Sequence, residues 1–259
     1  MEERFGIAAG LSDPVEHERA RGVEGKARLL AAAHRLIERI ARILGIDLGR
    51  HAAQRGIDLI ITDHHQFAEQ LPAAAAIVHP SLPGHDYPFS GLCGAGVALK
   101  LAWALCQRAS DAKRVSERMR NCLMTAVGIA AIGTVTDVVP LLDENRIIVR
   151  HGLVSLREHP PLGLQALMRR AKLDQKSSLD AEDIGFMIGP RLNAAGRLGQ
   201  AELGVELLTT DNPQRAEDLA EYLEELNESR KKLERSIYLA AKKQIKEDFD
   251  AENDDAFVL

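Results

Sequence analysis

The chain is poor in aromatic residues and carries no excess of positive charge. Only 4% of its 259 residues are Phe, Trp or Tyr, whereas 46% are hydrophobic. The core must therefore be built from aliphatic side chains and alanine. The formal net charge is −5, which excludes the globally basic surface typical of many nucleic-acid-binding domains but leaves room for a local basic path.

Paired cysteines and long apolar runs are also missing. The three cysteines, Cys93, Cys106 and Cys122, have no paired spacing, which favours a reducing compartment. The sequence has no charged-then-apolar leader and no run of about 18 apolar residues. We therefore expect a cytoplasmic protein that does not enter a membrane.

The most informative motif that is present is an apolar strand followed directly by three polar residues. The strand is expected from Ile57 to Ile61, and Asp63, His64 and His65 follow it. A carboxylate and two imidazoles at the end of a rigid strand offer three metal ligands. The alternative is a polar strand end in which Asp63 caps a helix.

Two later segments carry further candidate site residues. Asp137 follows the apolar run from Met124 to Val135 and is itself followed by Val138, Val139 and Pro140. Among such neighbours a buried aspartate must be paired, hydrogen-bonded or metal-bound; otherwise it is a capping or turn residue.

The segment from Gly189 to Arg197 holds Arg191, Asn193 and Arg197 between glycines. This composition suits a loop that binds a phosphate or a carboxylate. The alternative is a surface turn whose arginines pair with nearby acids.

In this order, the three segments resemble the DHH phosphoesterase superfamily, and within it the RecJ branch of single-strand-specific DNA exonucleases. The resemblance covers roughly residues 56–259. It also includes the stretches Gly91–Lys100, Glu144–Arg146 and Ile184–Phe186. It implies hydrolysis of single-stranded DNA from the 5′ end, in DNA repair and recombination.

The resemblance also implies roles for individual residues. Asp63, His64 and Asp137 would be metal ligands, and His65 and Asp137 would be catalytic, with His65 a ligand or a contact to the scissile phosphate. Arg191, Asn193 and Arg197 would bind the nucleic acid. Carboxylates with imidazole suit Mn²⁺ or Mg²⁺, and phosphodiester hydrolysis commonly uses two ions about 4 Å apart.

The chain departs from the family pattern at both ends. The family opens with a strand ending in Asp-x-Asp-x-x-Gly, and no such sequence occurs here; Glu16-His17-Glu18 has its Gly22 one residue out of place. The end, at Leu259, matches only the start of the family's second domain. We therefore expect an incomplete copy with one weak ion site and little activity by itself. The alternatives are a DHH phosphoesterase acting on short oligonucleotides or dinucleotides, and an inactive RecJ-like binding or scaffold protein.

The expected fold is an α/β domain with a mostly parallel sheet flanked by helices, metal residues at the carboxyl ends of strands, and a long C-terminal linker helix. We divide the chain into a divergent segment 1–50 with an amphipathic helix over 24–44, a phosphoesterase core 51–212, and a linker helix with the start of a second domain, 213–259. Within the core, helices are expected over 94–107, 114–132 and 144–157, and a short strand over 75–78.

Overall fold

The structure is a computed structural model that describes residues 47–248 except 68–69, 111–114 and 198–199. For residue 197 and residues 246–248 it describes the backbone alone. The predicted helix over 24–44 lies outside the described residues. The chain divides into two compact units, and the second, Ile60–Gln66 with Ala74–Gln244, contains every site residue discussed below. The division at residues 50 and 212 stays a prediction.

The sheet is small and parallel. Strand β1, Ile60–Thr62, pairs with β2, Ala76–Val78, and Thr62 lies opposite Val78. These are the two strands of the described part of the chain. The predicted α/β class with a parallel sheet is confirmed, although helices make up most of the domain. The segment before Ile60, predicted as part of the strand, is irregular.

Helices follow the sheet in an unbroken series. They are α1 Gly94–Ala109, α2 Glu117–Thr136, α3 Asp143–Glu158, α4 Leu162–Arg170, a π-helical turn Asp183–Ile188, α5 Gly189–Arg197, α6 Ala201–Thr209 and α7 Pro213–Asp248. The helices predicted over 94–107, 114–132, 144–157 and 213–248 are present. Helices α4 and α6 were not predicted. The predicted loop over Gly189–Arg197 is wrong, because this segment is helix α5.

Small residues let the first three helices pack closely. A Cβ atom built on Gly133 of α2 would lie 2.4 Å from the Cβ of Ala95 in α1. One built on Gly152 of α3 would lie 2.2 Å from the Cβ of Ala131 in α2. Both distances are far below a normal contact, so the backbone of α2 lies directly against α1, and the backbone of α3 lies directly against α2. The closely held α1–α2 contact fixes the end of α2 beside the start of α1.

The core is aliphatic, as its composition predicts. The buried apolar residues of the described chain are Leu, Ile, Val and Ala, with Met168 and Cys93 as the other members. Helix α2 is also long and apolar enough to cross a membrane by length and composition alone. A helix packed in a protein core passes the same test, and α2 lies against both α1 and α3.

Candidate active site

The end of β1 is stabilised by the side chain of Asp63. Its Oδ1 accepts hydrogen bonds from the amides of His64 at 2.7 Å and His65 at 3.2 Å, and it lies 2.7 Å from His65 Nδ1. The amide of Asp63 donates to the carbonyl of Val78 at 3.2 Å, which ties the turn to β2. Asp63 therefore organises the chain reversal that presents both histidines.

The pKa of Asp63 lies below its ordinary value of 3.8. Partial burial raises this pKa, but the hydrogen bonds from the side chain and amide of His65 and from the amide of His64 outweigh that effect. The carboxylate is thus ionised at neutral pH. An ionised Oδ1 can only accept, so Nδ1 of His65 must carry the proton of their shared hydrogen bond. This leaves Nε2 of His65 free to accept a proton or a ligand, on a side chain that is 76% exposed.

His64 lies next to Asp137, although 74 positions separate the two residues in sequence. His64 Nε2 is 3.6 Å from Asp137 Oδ2, with side chains that are 18% and 40% exposed. The ring of His64 packs over the start of α1, where a Cβ on Gly94 would come within 3.4 Å of it. Asp137 caps the end of α2, its amide bonding the carbonyls of Gly133 and Val135.

Close helix packing explains this pairing. Gly94 contacts His64, and the next residue, Ala95, contacts Gly133 of α2. Asp137 lies one helical turn beyond Gly133. The carboxylate is therefore carried to His64 by the close contact between α1 and α2. The expectation that the metal residues lie at strand ends is wrong for Asp137, which follows α2. The helix predicted over 114–132 already placed Asp137 beyond the end of a helix.

A buried asparagine connects the loops around the site. Asn145 of α3 is fully buried and its Nδ2 donates to the carbonyls of Gly91 at 2.7 Å and Pro140 at 3.0 Å. Gly91 precedes α1, and Pro140 lies three residues after Asp137. The same helix carries Glu144, which accepts hydrogen bonds from Lys100 Nζ at 2.9 Å and from the Tyr87 hydroxyl at 2.8 Å. Lys100 is thus ion-paired with Glu144.

The predicted metal ligands form two pairs in the structure. One pair is His64 with Asp137, and the other is Asp63 with His65. The two histidine rings connect the pairs, with centroids 4.3 Å apart. Among the residues that the structure describes, no three His, Cys, Asp or Glu side chains are grouped to hold an ion. Oδ1 of Asp63 is engaged by the turn that it organises.

The arginine segment takes a different form from the one expected. Arg191 is 6% exposed and lies between α5 and α7. Its Nε and Nη2 donate to the two carboxylate oxygens of Glu224, the latter at 3.0 Å, and Nη1 donates to the carbonyl of Met187 at 2.6 Å. Phosphate binding by Arg191 stays a prediction, and it would require the guanidinium to leave Glu224. Asn193 is exposed, and the side chain of Arg197 lies outside the described residues.

A cavity of about 890 Å³ opens at the C-terminal end of α2, and its lining includes Thr136, which directly precedes Asp137. Its lining includes Val138 at the end of α2, Phe186 of the π-helical turn, and Asn193 of α5. Sequence reasoning did not single out Val138 or Phe186. Val138 has φ +58° and is 87% exposed, and Phe186 is 75% exposed. The only available signal was their position inside two of the segments that carried the family resemblance.

Comparison with known proteins agrees with this geometry. Residues 40–127 match the model of the DHH family, N-terminal domain. The chain is 41% identical over 191 residues to the single-stranded-DNA-specific exonuclease RecJ of Bacillus subtilis, covering 74% of this chain and 22% of that protein. It is 39% identical over 245 residues to the Escherichia coli exonuclease of the same name, covering 92% of this chain and 40% of that protein.

The fold is shared as well. The crystal structure of RecJ from Thermus thermophilus in complex with Mn²⁺ superposes with a TM-score of 0.62 and 34% identity, over 73% of this chain and 26% of that one. The chain belongs to the DHH family. Within that family, RecJ exonucleases are the relatives that it resembles over most of its length. The chain itself spans less than half the length of these relatives.

Proposed function

We propose that this chain is part of a RecJ-like, metal-dependent exonuclease that removes nucleotides from the 5′ end of single-stranded DNA in the cytoplasm. The observation that carries this proposal is the pair formed by His64 Nε2 and Asp137 Oδ2, 3.6 Å apart. The pair lies at the end of β1 and α2, in a family whose matched relatives are single-stranded-DNA-specific exonucleases.

The donor atoms of the pair suit a divalent ion. Imidazole nitrogen with carboxylate oxygen is a set that Mn²⁺ accepts readily and Mg²⁺ less so. Ligands about 2.1 Å from a shared ion lie roughly 3–4 Å apart, which agrees with the separation of 3.6 Å. His64 and Asp137 would therefore hold the ion, and Asp63 completes the predicted ligand set. When bound, such an ion neutralises phosphate charge and makes water a better nucleophile.

The chain's own residues have further roles in this proposal. The hydrogen bond from His65 Nδ1 to Asp63 fixes the tautomer of His65 and directs its exposed Nε2 outward. Nε2, which carries no proton in this tautomer, can then accept one from the water that attacks the scissile phosphate. Asn193 and Arg197 are proposed to bind phosphates of the strand, which would position it without reading its bases.

The test is cleavage of a 5′-labelled single-stranded oligonucleotide by the 259-residue chain, with Mn²⁺ or with EDTA. We expect slow release of labelled mononucleotide that requires Mn²⁺ and is lost in His64→Ala and Asp137→Asn. The matched controls are His159→Ala and Asp174→Asn, in an exposed histidine and an exposed aspartate outside the site. Cleavage that survives Asp137→Asn would contradict the proposal.

A second candidate is a binding role without catalysis. The observation in its favour is that no three-ligand group occurs among the described residues. Titration of Mn²⁺, followed by electron paramagnetic resonance, separates the two candidates. Binding of Mn²⁺ and of DNA without any cleavage would favour the non-catalytic role.

A further inference from the structure

Phe186 occupies an unusual position for an aromatic side chain in a protein with so few. It lies in the π-helical turn between Ile184 and Ile188, both of which are fully buried. Phe186 itself is 75% exposed and lines the cavity at the C-terminal end of α2. Single-turn π-helices widen the backbone and are frequent at functional sites. Burying Phe186 would have been the favourable arrangement for folding, so its exposure calls for another reason.

The turn that carries Phe186 packs against the end of α2. A Cβ on Gly185 would lie 3.7 Å from Val135, and one on Gly189 would lie 2.5 Å from Thr136. These two residues of α2 immediately precede Asp137. The π-helical turn that carries Phe186 therefore packs against the same end of α2 that positions Asp137 beside His64.

Val138, which lines the same cavity, independently indicates a ligand contact there. Its φ of +58° is in the left-handed region, which a β-branched residue rarely adopts. Its side chain is 87% exposed, so packing within the described chain does not explain why valine stands where glycine would fit without strain. An exposed apolar side chain held in a strained conformation next to a catalytic group suggests a contact with a ligand.

We propose that Phe186 and Val138 form a nucleobase-binding surface, with Phe186 stacking on one base of the strand whose phosphate lies at the His64–Asp137 pair. This inference rests on the proposed function and adds the contact to the base. A flat aromatic face binds any base through its π-surface, so the contact adds affinity without sequence preference. The lining of the cavity also includes Asn193, whose amide suits the sugar and phosphate attached to that base. Arg230 lines the cavity as well, with its guanidinium bonded to Glu234 and Asn227.

The test compares two ligands: a 12-nucleotide oligothymidylate, and a strand of equal length in which every base is replaced by an abasic analogue. Affinity of the 259-residue chain is measured by fluorescence anisotropy in EDTA, so that cleavage does not interfere. Phe186→Ala should weaken binding of oligothymidylate about tenfold, equivalent to about 1.4 kcal/mol, and leave binding of the abasic strand unchanged. Phe186→Tyr, which keeps the ring, should retain wild-type affinity.

Two further variants complete the design. Val138→Gly should weaken binding of oligothymidylate several-fold, although its melting temperature should equal or exceed that of the wild type because backbone strain is relieved. Trp103→Ala is the matched control, since Trp103 is 51% exposed on α1 and lines a different groove. It should not change affinity for either strand.

The outcomes separate this inference from the proposed function. Equal losses on both strands in Phe186→Ala, or no loss on either, would overturn the base contact, as would failure of the wild type to bind oligothymidylate. If Asp137→Asn abolishes Mn²⁺-dependent cleavage while Phe186→Ala binds oligothymidylate with wild-type affinity, the result supports the exonuclease proposal and rules out the base contact. If the wild type does not cleave the strand but Phe186→Ala loses affinity only for oligothymidylate, the result supports the base contact and contradicts the exonuclease proposal.

Discussion

The ion pair between Arg191 and Glu224 should be a main support of the contact between α5 and α7. Replacing Arg191 with Met keeps an apolar stem but removes all three donors that the guanidinium uses. The carboxylate of Glu224 and the carbonyl of Met187 then lose their charged partner. Because Glu224 is only 22% exposed, water restores these interactions incompletely.

The magnitude follows from burial. Removing one member of a fully buried ion pair costs roughly 3–5 kcal/mol, and the partial exposure of Glu224 reduces this to about 2–3 kcal/mol. For a protein of this size, each 1 kcal/mol lowers the melting temperature by about 2–4 °C. We therefore expect Arg191→Met to melt about 4–12 °C below the wild type. A double replacement, Arg191→Met with Glu224→Met, should recover much of the loss, because no buried charge is left unpaired.

The assay is thermal unfolding followed by circular dichroism, together with DNA titrations at several salt concentrations. Arg215→Met is the matched control, because Arg215 makes a similar bidentate pair with Glu206 but both side chains are over 40% exposed. It should shift the melting temperature much less. Arg191→Met melting no lower than Arg215→Met would refute the reasoning. A phosphate contact at Arg191 would show separately, as a salt slope reduced by about 0.7.

Two more predictions concern helix packing and pH. Gly163→Ala should destabilise the protein by at least about 1–3 kcal/mol, because the new Cβ would lie 1.9 Å from the carbonyl oxygen of Leu207. Gly204→Ala should instead stabilise it by up to about 1 kcal/mol, since the nearest atom is 4.0 Å away in a helix; urea unfolding showing the same sign for both would contradict this. The hydrogen bond from Arg215 lowers the pKa of Glu206 below its ordinary 4.5, so this pair stabilises the fold above that pH and stops doing so as the pH falls through the lowered value. Glu206→Gln should therefore unfold at lower urea than the wild type at about pH 7, and the gap should close as the pH falls below the lowered pKa of Glu206; a gap independent of pH would show that the charge of Glu206 is not responsible.

Local patterns predicted the elements that depend on local physics. The apolar run before Asp63 indicated β1, and the helical pattern that begins at Pro213, a residue suited to the first position of a helix, indicated α7. The loop predicted from Gly189 to Arg197 is wrong because the glycines of this segment were taken as a sign of irregular backbone. Pro190 instead lies inside a continuous run of helical backbone, residues 181–197, directly after the π-helical turn.

Local sequence patterns did not predict the contacts between site residues that are distant in sequence. The approach of His64 to Asp137 depends on the contact between Ala95 and Gly133, and only the family resemblance linked the two segments. The burial of Arg191 by Glu224, 33 positions away, had no local signal either. A segment rich in arginine and glycine has the same composition whether its guanidinium groups bind a ligand or pair with a carboxylate of the same chain.

Helix α7 is anchored along only part of its length. Five residues of its first half, Ala216, Leu219, Ala220, Leu223 and Asn227, are buried at three- and four-residue steps, whereas residues 231–240 are all exposed. Amide protons in the buried half can exchange with solvent only when the packing of the whole domain opens. Within the described part of the chain, the amides of residues 231–240 are protected by little more than the helix's own hydrogen bonds, which fray on the microsecond scale in isolated helices. One continuous helix should thus show two exchange regimes, with a boundary of only a few residues between them.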